Sequence, residues 1–329
     1  MARPLLACAA VVLCVTVLAA QLKVDVQLIT VTATVTDGKG RYVSHLTADD
    51  FVIEEDGRAQ TISHFEQSLD LPVSMGIVLD TSGSMERKIG GAAEAVARFI
   101  RSVHEDDDIF LMTFSGRSQL RQDFTDDRNK LTSALRRLRV GGDTALYDAL
   151  EDGLKKIKSG KHKKKAILLI TDGEDTSSEI TFDDAKERIR ESELLVYCLG
   201  ISPAPLANMG ETPPVRVPRR GRNPFPLPVP GGPGGPHPRS PQDSVDMRVL
   251  NAFADASGGK AWLISGDWTD RGGNQIEQAL DEIAAELRNQ YSIGYYPAQG
   301  RKDGKYHRVN LKTKDSRYQV RARKEYFAG

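Results

Sequence analysis

A doubly wound α/β domain with a mostly parallel sheet, inserted in a small β-sandwich that both ends of the chain supply, is the fold the sequence predicts. Three observations predict it. From Pro72 onward, short apolar runs alternate with amphipathic stretches of helical period, the pattern of a parallel sheet covered on both faces. Before it, from Val24 to Gln67, and after it, from Tyr291 to Arg323, apolar residues alternate singly with polar ones, as in half-buried strands. Each flank offers about three strands, too few to bury a core alone, so the two flanks are expected to pair into one sandwich.

The elements follow in order. Arg3, an apolar run from Leu5 to Leu18 and the small pair Ala19-Ala20 have the layout of a secretory signal, cleaved near Ala20. The run is shorter than the ~20 residues a spanning helix needs, so no membrane span is expected in the mature chain. Val24, Val26 and Leu28 alternate in one phase and Ile29, Val31, Ala33 and Val35 in the other, which implies a bulge near Leu28. Phe51 and Ile53 alternate next, Glu55-Asp56-Gly57 is hairpin-turn chemistry, and Ile62 to Phe65 returns. The α/β strands are Val73 to Leu79, Ile109 to Phe114, Ala166 to Thr171, Leu194 to Leu199 and Ala261 to Ile264. Ala92, Val96, Phe99, Ile100 and Val103 share one helical face, as do Ile276, Leu280, Ile283 and Leu287, and Thr181 with Asp184 starts a further helix. Tyr291 to Tyr296, Val309 to Thr313 and Tyr318 to Arg323 close the sandwich. The resulting division is 1–20 signal, 21–70 first half of the sandwich, 71–289 α/β domain and 290–329 second half.

One segment breaks the pattern. Thirteen of the sixteen prolines lie between Pro203 and Pro241, so 202–245 cannot form a packed core and reads as an insertion within the α/β domain. Its bland reading is a semi-extended loop; a docking segment or a contact for cell-wall polymers is the sharper one.

Bulk properties exclude more than they name. With 329 residues, 40% of them hydrophobic, the chain can bury a large core. Lys+Arg and Asp+Glu stand at 45 each, which leaves no basic field to draw nucleic acid. Cys8 and Cys14 would leave with the signal, and Cys198, in an apolar strand, reads as a small core residue without a disulfide partner.

Chemistry concentrates at Asp80-Thr81-Ser82-Gly83-Ser84, where the first α/β strand hands over to a helix. One carboxylate and two hydroxyls at alternating positions converge just beyond the sheet, a donor set suited to a small hard cation. Ser82 and Ser84 are candidates for direct ligands, with Asp80 holding metal-bound water and Gly83 permitting the tight turn. Taken alone, the same residues could cap a helix. Two later loops, Gly141 to Leu146 and Thr171-Asp172-Gly173, reach the same edge of a parallel sheet.

Together these three segments resemble the metal-ion-dependent adhesion site, D-x-S-x-S, of the von Willebrand factor A family. The resemblance implies that Thr144 is the third hydroxyl contributor and Asp172 the remaining acidic residue. The expected cofactor is Mg²⁺ or Mn²⁺. Asp80 and Asp172 would balance its charge and leave one position for an acidic side chain of a protein partner. Asp143, beside Thr144, would add a third negative charge only if it pointed inward. The flanks, through Val-Thr-Asp-Gly-Lys-Gly after Thr34 and Asn289-Gln290-Tyr291 to Tyr296, look like bacterial secreted VWFA-related proteins.

Other candidates have plainer readings. The lysines between Lys155 and Lys165 suit a helix end and a solvated loop better than an anionic polymer. Asp106-Asp107-Asp108 reads as a solvated turn. The six histidines form no ligand-spaced pair, and no G-x-S-x-G, H-E-x-x-H or Walker loop occurs, so an enzyme is not expected and a hydrolase is the minor alternative. The function expected is metal-dependent capture of a protein partner outside the cell or in the periplasm; the alternative is a structural or envelope-polymer-binding module.

Overall fold

The computed structural model describes residues 28–69, 71–172, 175–202, 245–264, 271–297 and 303–329. The signal-like segment, the alternation at Val24 and Val26, and nearly all of the proline-rich insertion lie outside the described residues.

The amino-terminal flank forms β1 (Ile29–Thr36), β2 (Phe51–Glu55), β3 (Arg58–Gln60) and β4 (Ile62–Leu69). The α/β unit follows with β5 (Val73–Asp80), α1 (Ile89–Ser102), β6 (Asp108–Phe114), β7 (Ser118–Thr125), α2 (Arg128–Leu135) and α3 (Leu146–Ile157). It continues with β8 (Lys164–Thr171), α4 (Phe182–Ser192), β9 (Leu195–Ile201), α5 (Met247–Ser257), β10 (Ala261–Ile264) and α6 (Arg271–Arg288). The carboxyl-terminal flank is β11 (Asn289–Tyr295), β12 (Lys305–Thr313), β13 (Gln319–Ala322) and β14 (Glu325–Ala328).

Six strands make the central sheet in the order β10-β9-β8-β5-β6-β7, parallel except for β7, which runs antiparallel to β6 at the edge. Every residue of β5 is buried, as expected of a strand covered on both faces. Met75, Ile77 and Leu79 pack with α1 and α6 on one side, while Val78, Phe110 and Ile167 pack with α3, α4 and α5 on the other. Cys198 is buried in that second core.

Gly76 sits where β5 passes between Phe110 and Ile167, its register partners on the two neighbouring strands. A Cβ there would lie 2.3 Å from the Phe110 ring and 2.7 Å from Ile167 Cδ1. Gly76→Ala is therefore expected to lower stability by about 1–3 kcal/mol through overpacking. A urea midpoint equal to that of wild type would show that the ring can give way.

The two flanks interleave. One antiparallel sheet has the order β13-β1-β11-β4 and the other β14-β12-β2-β3, so each mixes strands from both chain ends. Val31, Val35, Phe51, Ile53, Tyr291, Ile293, Val309 and Leu311 form their shared core, with Phe51 and Tyr291 rings 5.3 Å apart. The α/β unit is thus inserted in a sandwich that neither chain end could complete alone.

Several features depart from the sequence expectation. β3, β7, β14, α2 and α5 were not anticipated; β7 is a largely polar edge strand and β3 and β14 are very short. Asp107 and Asp108 are buried, not solvated: Asp107 Oδ1 accepts from Val73 N at 2.7 Å, and Asp108 Oδ1 from Ser74 Oγ at 2.5 Å. They hold the start of β5 to the start of β6 at the end of the sheet opposite Asp80. The lysine run is largely engaged within the chain: Lys155 pairs with Glu151, Lys156 with Asp123 and Lys161 with Asp126, while Lys165 donates to the carbonyls of Lys158 and Gly160.

Candidate metal centre

β5 ends on Asp80, and the chain turns through Thr81 and Ser82 into a short 3-10 turn, Gly83–Met85, before α1. Two anchors hold this loop. Met85 is fully buried in the core, and Thr81 donates through both its amide and its hydroxyl to the Phe114 carbonyl at the end of β6. The 141–145 loop docks alongside: Gly141 N donates to Thr81 O at 2.9 Å and Gly83 N to Gly142 O at 3.1 Å. Gly141 and Gly142 have φ of 148° and 89°, which glycine adopts without strain.

Four of the five candidate ligands form a connected polar cluster. Ser82 Oγ lies 3.1 Å from Ser84 Oγ, and Ser84 Oγ donates to Asp172 Oδ1 at 2.9 Å. Asp80 joins at the base, accepting from Ser82 N at 2.7 Å through Oδ1 and from Thr171 Oγ1 at 2.7 Å through Oδ2. Asp80 and Ser82 are buried while Ser84 is exposed, so the cluster opens to solvent on the serine side. Thr144, also buried, lies in the docked loop; its described bonds run through its backbone, the amide donating to Thr176 Oγ1 at 2.9 Å and the carbonyl accepting from the Thr176 and Ser177 amides. Asp143 is exposed, and no described hydrogen bond ties its carboxylate to the cluster.

Two residues at this centre escaped the sequence reading. Thr171 is one: its hydroxyl fixes the Asp80 carboxylate from the neighbouring strand end. Lys88 is the other. Its Nζ donates to Asp172 Oδ2 at 2.7 Å, and the two side chains keep only 9% and 6% of their surface exposed. The sequence expectation of two carboxylates balancing one divalent cation therefore needs correction, because the centre carries a built-in positive charge as well. The ends of the later loops are fixed by another unanticipated carboxylate: Asp175 Oδ1 accepts from Leu146 N at 2.8 Å, capping α3.

The donor chemistry fits a hard divalent cation. Hydroxyl and carboxylate oxygens make up the cluster, the set that Mg²⁺ and Mn²⁺ prefer over nitrogen or sulfur. Burial pushes the Asp80 carboxyl up to about 6, against the hydrogen bonds from Ser82 and Thr171 that hold it down, and the nearby Asp172 charge adds to the rise. A cation beside Asp80 would reverse that penalty by favouring its ionised form.

Residues 75–174 match the family model of the von Willebrand factor type A domain. No curated protein matches the sequence. Among solved structures, a von Willebrand factor type A protein from Catenulispora acidiphila is 15% identical, with 92% of this chain and 72% of that chain covered and a TM-score of 0.48. BatB from Bacteroides thetaiotaomicron is 17% identical over 65% of this chain and 99% of that one, with a TM-score of 0.44. Proximal thread matrix protein 1 from the mussel byssus, solved with a zinc-occupied MIDAS motif, is 11% identical over 70% of this chain and 50% of that one, with a TM-score of 0.48.

Proposed function

We propose that the von Willebrand factor type A domain of this chain holds Mg²⁺ or Mn²⁺ with Asp80, Ser82, Ser84, Thr144 and Asp172, and that it captures an acidic side chain of a protein partner there. The observation that carries this reading is the run of contacts from Ser82 through Ser84 to Asp172, supplied by two loops at the carboxyl edge of a parallel sheet and open to solvent at Ser84. When bound, the cation supplies an electrophilic position for a partner's carboxylate oxygen. Lys88 favours that step. Two carboxylates and one ammonium beside a divalent ion leave the occupied centre with one net positive charge, which an anionic ligand would neutralise.

In this reading the protein binds and does not catalyse: the hydroxyls and carboxylates of the centre hold the cation, and the Lys88 amine is paired with Asp172. Export through the segment 1–20 places the domain where such partners are met. Among the described residues no helix is long and apolar enough to cross a membrane.

Calorimetric titration of the full chain with Mg²⁺ tests the site. Wild type is expected to bind one equivalent, and Ser82→Ala and Asp80→Ala to bind at least about a hundredfold more weakly, ~2.7 kcal/mol. Equal affinity in all three chains would sink it. Capture of a partner from envelope extract should then disappear in EDTA and return with Mg²⁺; capture indifferent to chelator would favour the structural or polymer-binding alternative.

A further inference from the structure

A second cluster of ligating groups lies in the β-sandwich, on elements other than those that carry the centre at Asp80. β2 ends on Glu55 and the turn to β3 begins with Asp56, while β12 places His307 beside them on its core-facing side. Glu55 and His307 are buried, while Asp56 is exposed. His307 Nδ1 is 2.8 Å from Asp56 Oδ2 and 3.8 Å from Glu55 Oε1. One nitrogen of His307 and one oxygen of each carboxylate all lie within 4.8 Å of one another.

The surroundings hold these groups in place. His307 Nε2 lies 3.1 Å from Asp303 Oδ1, at the turn that leads into β12. Tyr326 Oη donates to Glu55 Oε1 at 2.9 Å, and Arg308 N donates to Asp56 Oδ1 at 3.0 Å. A carboxylate on one imidazole nitrogen, with ligating oxygens at the other, is the arrangement that fixes a metal-binding histidine in the required tautomer.

Ligand type and spacing decide which cation. Bonds of about 2.0–2.1 Å in a tetrahedral site put ligand atoms roughly 3.3 Å apart. The His307–Asp56 and His307–Glu55 separations of 2.8 and 3.8 Å fall on either side of that value, within reach of small side-chain rotations. An imidazole nitrogen with two carboxylate oxygens suits zinc and its late first-row neighbours, and suits Mg²⁺ or Ca²⁺ poorly.

We propose that Glu55, Asp56 and His307 bind Zn²⁺, with Asp303 as the positioning residue that directs Nδ1 at the ion, and that the site staples the β2–β3 turn of the amino-terminal flank to β12 of the carboxyl-terminal flank. In the metal-free protein burial works against protonation of His307, but its bonds to Asp56 and Asp303 outweigh it and raise its pKa. Zinc and a proton would compete for Nδ1, so binding is expected to weaken as the pH falls.

The test uses the full chain, both as wild type and with Ser82→Ala, so that any zinc taken by the Asp80 centre is counted apart. The Ser82→Ala chain is expected to bind one equivalent of Zn²⁺, to melt at a higher temperature with it, and to give visible absorption with Co²⁺ from a site of low coordination number. His307→Gln should remove this binding, and Asp303→Asn should weaken it about tenfold to a hundredfold. Asp56→Asn, an exposed change that decides the matter if His307→Gln does not fold, should weaken it at least tenfold. The proposal is overturned if the Ser82→Ala chain takes up no Zn²⁺ at millimolar concentration, or if Asp56→Asn and His307→Gln bind it as wild type does; His307 would then be an imidazolium clamp alone. Because it does not depend on Mg²⁺ binding at Asp80, it stands or falls separately from the function proposed above.

Discussion

Asp172→Ala is expected to abolish Mg²⁺ binding and, in the metal-free protein, to cost on the order of 3–5 kcal/mol of stability, the range for removing one partner of a buried ion pair. The two effects have different origins. Metal binding fails because a charged oxygen beside Ser84 is gone. Stability falls because Lys88, whose side chain is 9% exposed, keeps its ammonium with no carboxylate to meet it. A second substitution separates them. Lys88→Met in the Asp172→Ala background should recover most of the stability and none of the Mg²⁺ affinity, as read by chemical denaturation and calorimetry on the same samples. Lys88→Met alone should behave in the opposite way: a less stable metal-free protein that binds Mg²⁺ about tenfold or more tightly, since a positive charge has left the centre. It should also hold an acidic partner less well, because the occupied centre becomes neutral. Mg²⁺ affinity that does not change in Lys88→Met would show that the ammonium is screened from the ion and that the corrected charge count has no functional weight.

Local signals carried the fold and most of the candidate centre. β5 was legible because the short, mostly apolar run Val73 to Leu79, bounded by Pro72 and the polar loop at Asp80, has the length and composition of a strand covered on both faces, and the loop after it because Asp80, Ser82 and Ser84 lie within five residues. The helices α1 and α6 declared themselves by long apolar faces, whereas α2 is only eight residues long and buries Leu131 and Leu135, with Ala134 partly covered beside them. β7 stayed hidden because an antiparallel edge strand that is half exposed lacks both the apolar run and a clean alternation. Lys88 was passed over for another reason. It reads as one more charged residue entering an amphipathic helix, and only the fold brings it to Asp172, 84 positions away. His307 is the same case over a longer span, 251 positions from Asp56, so no ligand spacing could announce it. Asp107 and Asp108 were misread because acidic runs before a strand are usually solvated, and the amide and hydroxyl that bury them belong to β5, 34 positions earlier.

Arg321→Ala should be the most damaging single change at the contact between the inserted α/β unit and the sandwich, at about 3 kcal/mol. Arg321, on β13, pairs with Glu286 near the end of α6, and its other terminal nitrogen donates to Gly258 O at 3.0 Å, just after α5. Glu286 is 1% exposed. Its second oxygen accepts from Tyr197 Oη at 2.7 Å, on β9 of the central sheet, and Gln290 Nε2 donates to that same hydroxyl at 3.3 Å. One carboxylate thus ties a strand of the parallel sheet, the helix that leaves it and a strand of the sandwich. Removing the guanidinium leaves a buried carboxylate whose remaining described side-chain donor is the Tyr197 hydroxyl, at the cost of an anion less well compensated. The estimate sits at the low end of the buried-pair range because the Arg321 side chain is 32% exposed, so water can reach the space it vacates. Glu286→Gln in the Arg321→Ala background should recover much of the loss, since the amide oxygen still accepts from Tyr197 and no charge is left behind. If Arg321→Ala costs less than about 1 kcal/mol by urea denaturation, in the range of a surface pair, then the packing of α6 and β11 alone holds the two units together, and the Glu286 network is dispensable for docking.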